Sequence, residues 1–259
     1  MQQYQIDAFS DHLFGGNPAA VVPLETWLSD ELMQAIAMEN NLSETAFFVP
    51  FEDGYQLRWF TPNGEVKLCG HATLATAYVL FHELGYGGES LRFHTQSGEL
   101  TVVNHGDRME MDFPSQPPEP CEAPQALLDG LGVEPLTVLA AEDYLVELAN
   151  EQQVAQLSPD FNRLSELDRR GVIVTAMSEQ GEIVSRFFAP KYGINEDPAT
   201  GSAHCQLVPY WSEQSGKCTF HCRQLSARGG ELWCQLEVDR VVISGSAVKF
   251  SEGEINLPQ

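Results

Sequence analysis

Two stretches of this chain are versions of one another, and that restricts its folding more than any other feature. Arg58-Trp59-Phe60-Thr61-Pro62 leads into Cys69-Gly70-His71-Ala72-Thr73, and Arg186-Phe187-Phe188-Ala189-Pro190 leads into Thr200-Gly201-Ser202-Ala203-His204. The lead-ins stand 128 residues apart and the glycines 131, so the second loop is three residues longer. Carried upstream, the 128 spacing lays Ser43-Glu44-Thr45-Ala46 on Gly171-Val172-Ile173-Val174, strand upon strand. A chain of 259 residues built this way reads as two half-chains of similar design.

The repeated unit runs strand, proline, loop, glycine, helix. The first N–H groups of a helix lack partners within it and sit at its positive end. A glycine there lets a ligand reach the backbone, which suits a carboxylate or a phosphate. Gly70 or Gly201 alone reads more readily as part of a helix cap than as a site. Their repetition favours a pair of ligand-facing tips on either side of a cleft.

Composition narrows the partners. With 43% hydrophobic residues and 14 phenylalanines the chain can bury a sizeable core. A net charge of −23 argues against nucleic acid and anionic membranes, and no run of about 18 apolar residues is present. The start, Met1-Gln2-Gln3-Tyr4-Gln5, carries no basic or apolar signal, so a cytoplasmic protein with reduced cysteines is expected. Lysines number only four, so helix tips rather than ammonium groups would have to hold an anion. Cys218 and Cys222 with His221, His204 and Cys205 can be drawn as a zinc site. Alternation along a strand, however, puts 218 and 222 on one face and His221 on the other, so no metal is expected.

Along the chain, residues 4–9 and 19–23 read as strands around the turn Gly15-Gly16-Asn17-Pro18. Ser29 caps a helix that Asp30 and Glu31 open, that Leu28 staples to Met33, and that Asn40-Asn41 ends. Strands follow at 45–49 and 55–60. The helix from about Ala72 to Leu84 is apolar nearly all round and must be buried on every side. A curved antiparallel sheet wrapped about it would do so, from strands at 91–95, 99–104 and 108–113. Pro114–Pro120 is linker-like, placing the halves at 1–115 and 116–259, with the last strand near 246–252 a candidate to pack back on the first half. The second half repeats the theme: strands near 136–149, a short helix near 159–168, strands at 171–177 and 182–189, and the Gly201 helix, which Pro209 is expected to shorten or kink. Strands near 218–225, 231–238 and 240–250 complete an α+β chain.

Glu44, ahead of the apolar run Thr45-Ala46-Phe47-Phe48, is the candidate acid–base residue, and its counterpart at the 128 spacing is Val172. Cys69 precedes a helix, where a thiol's pKa can be depressed, but Thr200 rather than a second cysteine stands opposite. His71 can hold an anionic or carbonyl group or exchange protons near neutral pH. Asp197, in the longer second loop, is either a proton carrier, an orienter of His71 or an Asx turn before Pro198.

Gly16-Asn17-Pro18, Ser43-Glu44-Thr45-Ala46-Phe47, Phe60-Thr61-Pro62 with Glu65-Val66, Cys69-Gly70-His71-Ala72-Thr73 and Glu196-Asp197-Pro198-Ala199-Thr200-Gly201-Ser202-Ala203 together resemble the phenazine-biosynthesis PhzF-like family, in order and through nearly the whole chain. The resemblance implies a diaminopimelate epimerase-like fold: two pseudo-symmetric halves, each an antiparallel β-barrel around a central helix. It implies Glu44 as the proton shuttle, with His71 and Asp197 beside it as catalytic residues. Asn17, Cys69, Gly70, Gly201 and Ser202 would bind substrate. Neither cofactor nor metal is implied, and a homodimer is. The expected function is a cofactor-independent isomerase acting on a small carboxylate-bearing metabolite held between the halves. The alternatives are an amino-acid epimerase or racemase, and a non-catalytic binder with the same cleft.

Overall fold

The computed structural model describes residues 1–257, and the chain divides into two compact units. The first comprises residues 1–112 with the segment from Ser244 onward, and the second comprises Phe113–Ile243.

In the first unit, strands β1 (Gln2–Ala8) and β2 (Asn17–Pro23) form an antiparallel pair joined by a loop. Gly16 in that loop has φ +62°, and a Cβ there would lie 2.1 Å from the carbonyl oxygen of Ala8, so the position admits only glycine. Helix α1 (Asp30–Asn40) starts as its sequence dictates: Ser29 Oγ accepts from the Leu32 N–H, and Asn41 ends it in the left-handed conformation. Strands β3 (Glu44–Phe51), β4 (Gly54–Thr61) and the short β5 (Gly64–Val66) follow, then helix α2 (Gly70–Tyr78), which continues as a π turn over Val79–Glu83. Strands β6 (Ser90–Thr95), β7 (Gly98–Asn104) and β8 (Met109–Pro114) complete the run.

Helix α1 carries the chain from β2 to β3, and α2 carries it from β4 to β6; each of those strand pairs is parallel. A helical crossover returns the next strand in the same direction, whereas a tight hairpin reverses it. The expected antiparallel sheet is therefore mixed. It is also open, so the closed barrel is not formed. One face carries α1, packed through Met33, Ile36 and Ala37 onto Val22, Phe47, Val49 and Phe60. The other carries α2, whose residues from Gly70 to Ala77 are all buried. With both faces covered, β2 and β3 are apolar almost throughout.

The second unit repeats this plan. It begins with the short strand β9 (Glu119–Pro120) and helix α3 (Gln125–Leu131), then β10 (Thr137–Ala140) pairs antiparallel with β11 (Tyr144–Glu147). Helices α4 (Glu151–Gln156) and α5 (Phe161–Leu164) cross to β12 (Val172–Met177), parallel to β11. Strands β13 (Ile183–Ala189) and β14 (Ile194–Asp197) lead to a 3-10 turn at Gly201–Ala203 and helix α6 (His204–Ser215). Helix α6 crosses to β15 (Thr219–Gln224), parallel to β13 and antiparallel to β16 (Gly230–Glu237). Strand β17 (Arg240–Gly245) follows, and β18 (Ala247–Glu254) returns to the first unit, antiparallel to β1.

Pro209 neither shortens nor ends α6, which runs twelve residues through it. Proline there leaves the Cys205 carbonyl without its usual i+4 donor. The N–H of Gln116, from the proline-rich stretch, fills that place at 2.8 Å.

The duplication is visible at single residues. Arg58 grips Glu65 through Nε and Nη2 at 2.7 and 2.8 Å, and Arg186 grips Glu196 the same way at 2.7 and 2.9 Å. Each guanidinium lies over a phenylalanine, Phe60 or Phe188. Strand register also corrects the 128 spacing upstream. Arg58 pairs with Phe47 and Arg186 with Val174, separations of 11 and 12 residues. The second hairpin is one residue longer, so the counterpart of Glu44 is Gly171, not Val172. A slip of one residue exchanges the faces of a strand.

Candidate active site

Glu44 opens β3. Alternation points Phe47 and Val49 at α1, which turns Glu44 towards α2. There Glu44 Oε2 lies 3.1 Å from His71 Nε2, with both residues buried. On the other side of the ring, His71 Nδ1 meets Asn17 Nδ2 at 3.2 Å and Cys69 Sγ at 3.5 Å. Cys69 is the N-cap of α2, in extended conformation, and no side chain caps that helix end. Instead Thr73 turns back, its N–H and Oγ1 both donating to the Cys69 carbonyl, at 3.1 and 2.6 Å. The carbonyl is thereby fixed while the leading N–H groups at Gly70 and His71 stay uncapped by side chains.

Burial, reinforced by the Glu44 charge, pushes the Cys69 thiol up to about 11. The helix start does not produce a thiolate here, contrary to the sequence expectation: full desolvation outweighs the helix dipole. Burial alone would lower the His71 imidazole, but Cys69 and Glu44 outweigh it and hold His71 well above its ordinary value. With a neutral ring, Asn17 Nδ2 donates to Nδ1, and Nε2–H faces Glu44. A proton added at Nδ1 requires the Asn17 amide to turn its oxygen towards the ring.

A separate group forms in the second unit. Asp197, at the end of β14, accepts a hydrogen bond from Thr200 Oγ1. Gln224 on β15 binds three atoms of the same loop: its Oε1 accepts from Thr200 N–H at 2.8 Å, and its Nε2 donates to the Asp197 carbonyl at 2.7 Å and to Thr200 Oγ1 at 3.1 Å. Ser226 Oγ adds a bond to the Pro198 carbonyl at 2.7 Å. Gly230 lets Ala199 approach, since a Cβ there would stand 2.6 Å from the Ala199 Cβ. This loop sets Gly201 and Ser202 at the head of the 3-10 turn, which no side chain caps.

The predicted residues thus fall into two groups, Asn17, Glu44, Cys69, Gly70 and His71 in one unit and Asp197, Gly201 and Ser202 in the other. Gln224 was missed as a site residue. Its signal was present: Phe220, Cys222 and Gln224 alternate inward along β15, and a buried glutamine on such a face must bind something. The unit-2 position matching Glu44 is glycine. The nearby buried acid, Asp143, is neutralised by Arg170 at 2.9 and 2.5 Å and accepts a further hydrogen bond from Gln206 Nε2 at 2.9 Å. Among the described residues, two buried clusters each bring three potential ligand atoms within 4.8 Å of one another: those of Glu44, Cys69 and His71, and those of His204, Cys222 and Cys234.

A family model described as phenazine biosynthesis-like protein matches residues 6–253. A protein of Pseudomonas aeruginosa named as an uncharacterized isomerase is 54% identical over 254 residues, 98% of each chain. Another so named, from Halalkalibacterium halodurans, is 49% identical over 260 residues, again 98% of each. The crystal structure of a PhzF family phenazine biosynthesis protein from Enterococcus faecalis is similar at a TM-score of 0.96, with 46% identity and 99% of each chain covered.

Proposed function

The chain belongs to the phenazine biosynthesis-like family and is an isomerase, and from that premise we propose that it moves a proton on a small carboxylate-bearing metabolite without a cofactor. The observation that carries this reading is the buried Glu44–His71–Asn17 chain at the uncapped start of α2. In the proposed reaction the Glu44 carboxylate takes a proton from a carbon next to the substrate's carboxylate. The electron pair left behind is stabilised by N–H groups at Gly70 and His71, and Glu44 then delivers the proton to another carbon. His71 holds Glu44 in place and supplies a hydrogen bond. Transfer of this kind typically contributes about 10²–10⁴ in rate.

The test is a panel of small carboxylic acids incubated with enzyme in deuterium oxide and followed by NMR. A true substrate should take up deuterium at carbon. Glu44→Gln should slow that uptake at least about 10²-fold while still binding the acid. Unchanged uptake in the variant would remove Glu44 from the reaction. Acids that bind wild-type protein without any exchange would favour a non-catalytic binder.

A second reading, epimerisation, is favoured by Cys69 Sγ at 3.5 Å from His71 Nδ1. A protonated thiol there could return the proton to the opposite face of the same carbon. Deuterium found at a stereocentre with inversion, and lost in Cys69→Ser, would separate it from transfer between carbons.

A further inference from the structure

The cluster on the inner face of β15 and β16 has no part in the chemistry above. Strand register pairs Phe220 with Cys234 and Cys222 with Leu232, which makes Cys222 and Cys234 diagonal neighbours on one face. Helix α6 packs on β16, and its first residue, His204, completes the group. His204 and Cys222 are fully buried and Cys234 is 3% exposed.

The histidine is already set as a ligand. Its Nδ1 lies 2.9 Å from the Thr200 carbonyl, which can only accept, so Nδ1 carries the hydrogen and Nε2 keeps its lone pair. Nε2 is buried with no hydrogen-bond partner. Metal-binding imidazoles are characteristically oriented this way, one nitrogen donating to a carbonyl and the other bare. In the first unit the equivalent residue is Thr73, which makes the same bond back to the Cys69 carbonyl but offers no second nitrogen. The bond to the preceding turn explains a histidine's presence. It does not explain an orphaned nitrogen facing two thiols.

We propose that His204, Cys222 and Cys234 form a binding site for a zinc-class metal ion. Two sulfurs and one imidazole are the donors such an ion prefers. An ion about 2.3 Å from each sulfur and about 2.0–2.1 Å from the nitrogen holds its donors roughly 3.5–4 Å apart. The donors here lie within 4.8 Å of one another, so closure takes a contraction of at most about 1.3 Å. On binding, each thiol releases its proton to solvent and the bare Nε2 coordinates directly. The ion would tie the head of α6, and through the Thr200 carbonyl the Asp197–Ser202 loop, to the β15–β16 hairpin.

Cobalt(II), the spectroscopic stand-in for zinc, provides the test on reduced, chelator-treated protein. Wild type should bind one equivalent with near-ultraviolet thiolate-to-cobalt absorption, which zinc then abolishes. Cys222→Ser and Cys234→Ser should each lose that absorption, and His204→Gln should weaken binding at least about tenfold. Cys69→Ser, Cys121→Ser and Cys218→Ser should keep it. Zinc-edge X-ray absorption of the wild type, which depends on no variant's folding, should show two sulfurs and an imidazole nitrogen. No thiolate band in wild type, a band that disappears with Cys69 or Cys218 instead, or a zinc shell with fewer than two sulfurs would overturn the site.

Discussion

Cys69 shows how burial overrules position. A thiol that begins a helix should ionise easily, yet this one is enclosed beside a carboxylate and is held up to about 11. Mass-spectrometric mapping after brief iodoacetamide treatment at pH 7.5 should find the exposed Cys218 labelled and Cys69 untouched. Labelling of Cys69 should rise only as pH climbs towards 11; rapid reaction at 7.5 would contradict the closed setting. His71 gives the opposite dependence. Its folded-state value is raised, so its ion pair with Glu44 stabilises the fold fully below the ordinary histidine range of about 6.5. That contribution is lost as pH rises through the elevated value. The gap in unfolding midpoint between wild type and His71→Gln should therefore be widest near pH 6 and narrow in alkali. A gap constant from pH 6 to 10 would mean that the pair does not titrate.

Among the elements, the Asp197–Ser202 loop takes three of its hydrogen bonds from one amide, that of Gln224. Gln224→Met keeps the side chain's bulk and removes the acceptor of the Thr200 N–H, at a cost of about 1–3 kcal/mol. The variant should unfold at lower denaturant; a wild-type midpoint would show the loop to be held elsewhere. Much of this level could be read from residue order. Ser29 and Asn41 bounded α1 where capping chemistry put them, and the apolar stretch after Gly70 became the enclosed helix. The misses have local causes. Helix α4 is six residues long behind an Asn150 cap, too short for periodicity to register. Parallel pairing depends on which strand a crossover reaches, and residue pattern alone does not encode that. Cys218 lies ahead of β15 and is exposed while Cys222 is buried, so the face they were expected to share does not exist. The ligands that do converge come from α6, β15 and β16, far apart in sequence.

At the scale of the molecule, charge opposes the proposed substrate. A net −23 repels an anion on approach, and only short-range N–H groups reward its arrival. Raising ionic strength from about 10 to about 150 mM shortens the screening length from about 30 to about 8 Å. KM for an anionic substrate should fall over that range with little change in kcat; a KM that rises would mean that a positive local field dominates. The buried Asp143–Arg170 pair belongs to the same scale. Asp143→Ala removes the two-pronged partner of Arg170, leaves its guanidinium only the Glu142 carboxylate at 3.6 Å, and should cost about 1–3 kcal/mol in urea unfolding.

The longer hairpin of the second unit bears on how chemistry could be moved between the repeats. A carboxylate grafted by plain alignment would go in at Val172, among Leu127, Leu131 and Val154, on the wrong side of the strand. Grafted at Gly171, the spatially correct place, its Cβ would stand 2.5 Å from the Phe187 ring and 2.9 Å from the Phe188 carbonyl oxygen. A twin base is therefore out of reach of any single codon change. Phe187 must shrink first, which leaves this one strand position carrying a carboxylate in the first repeat alone.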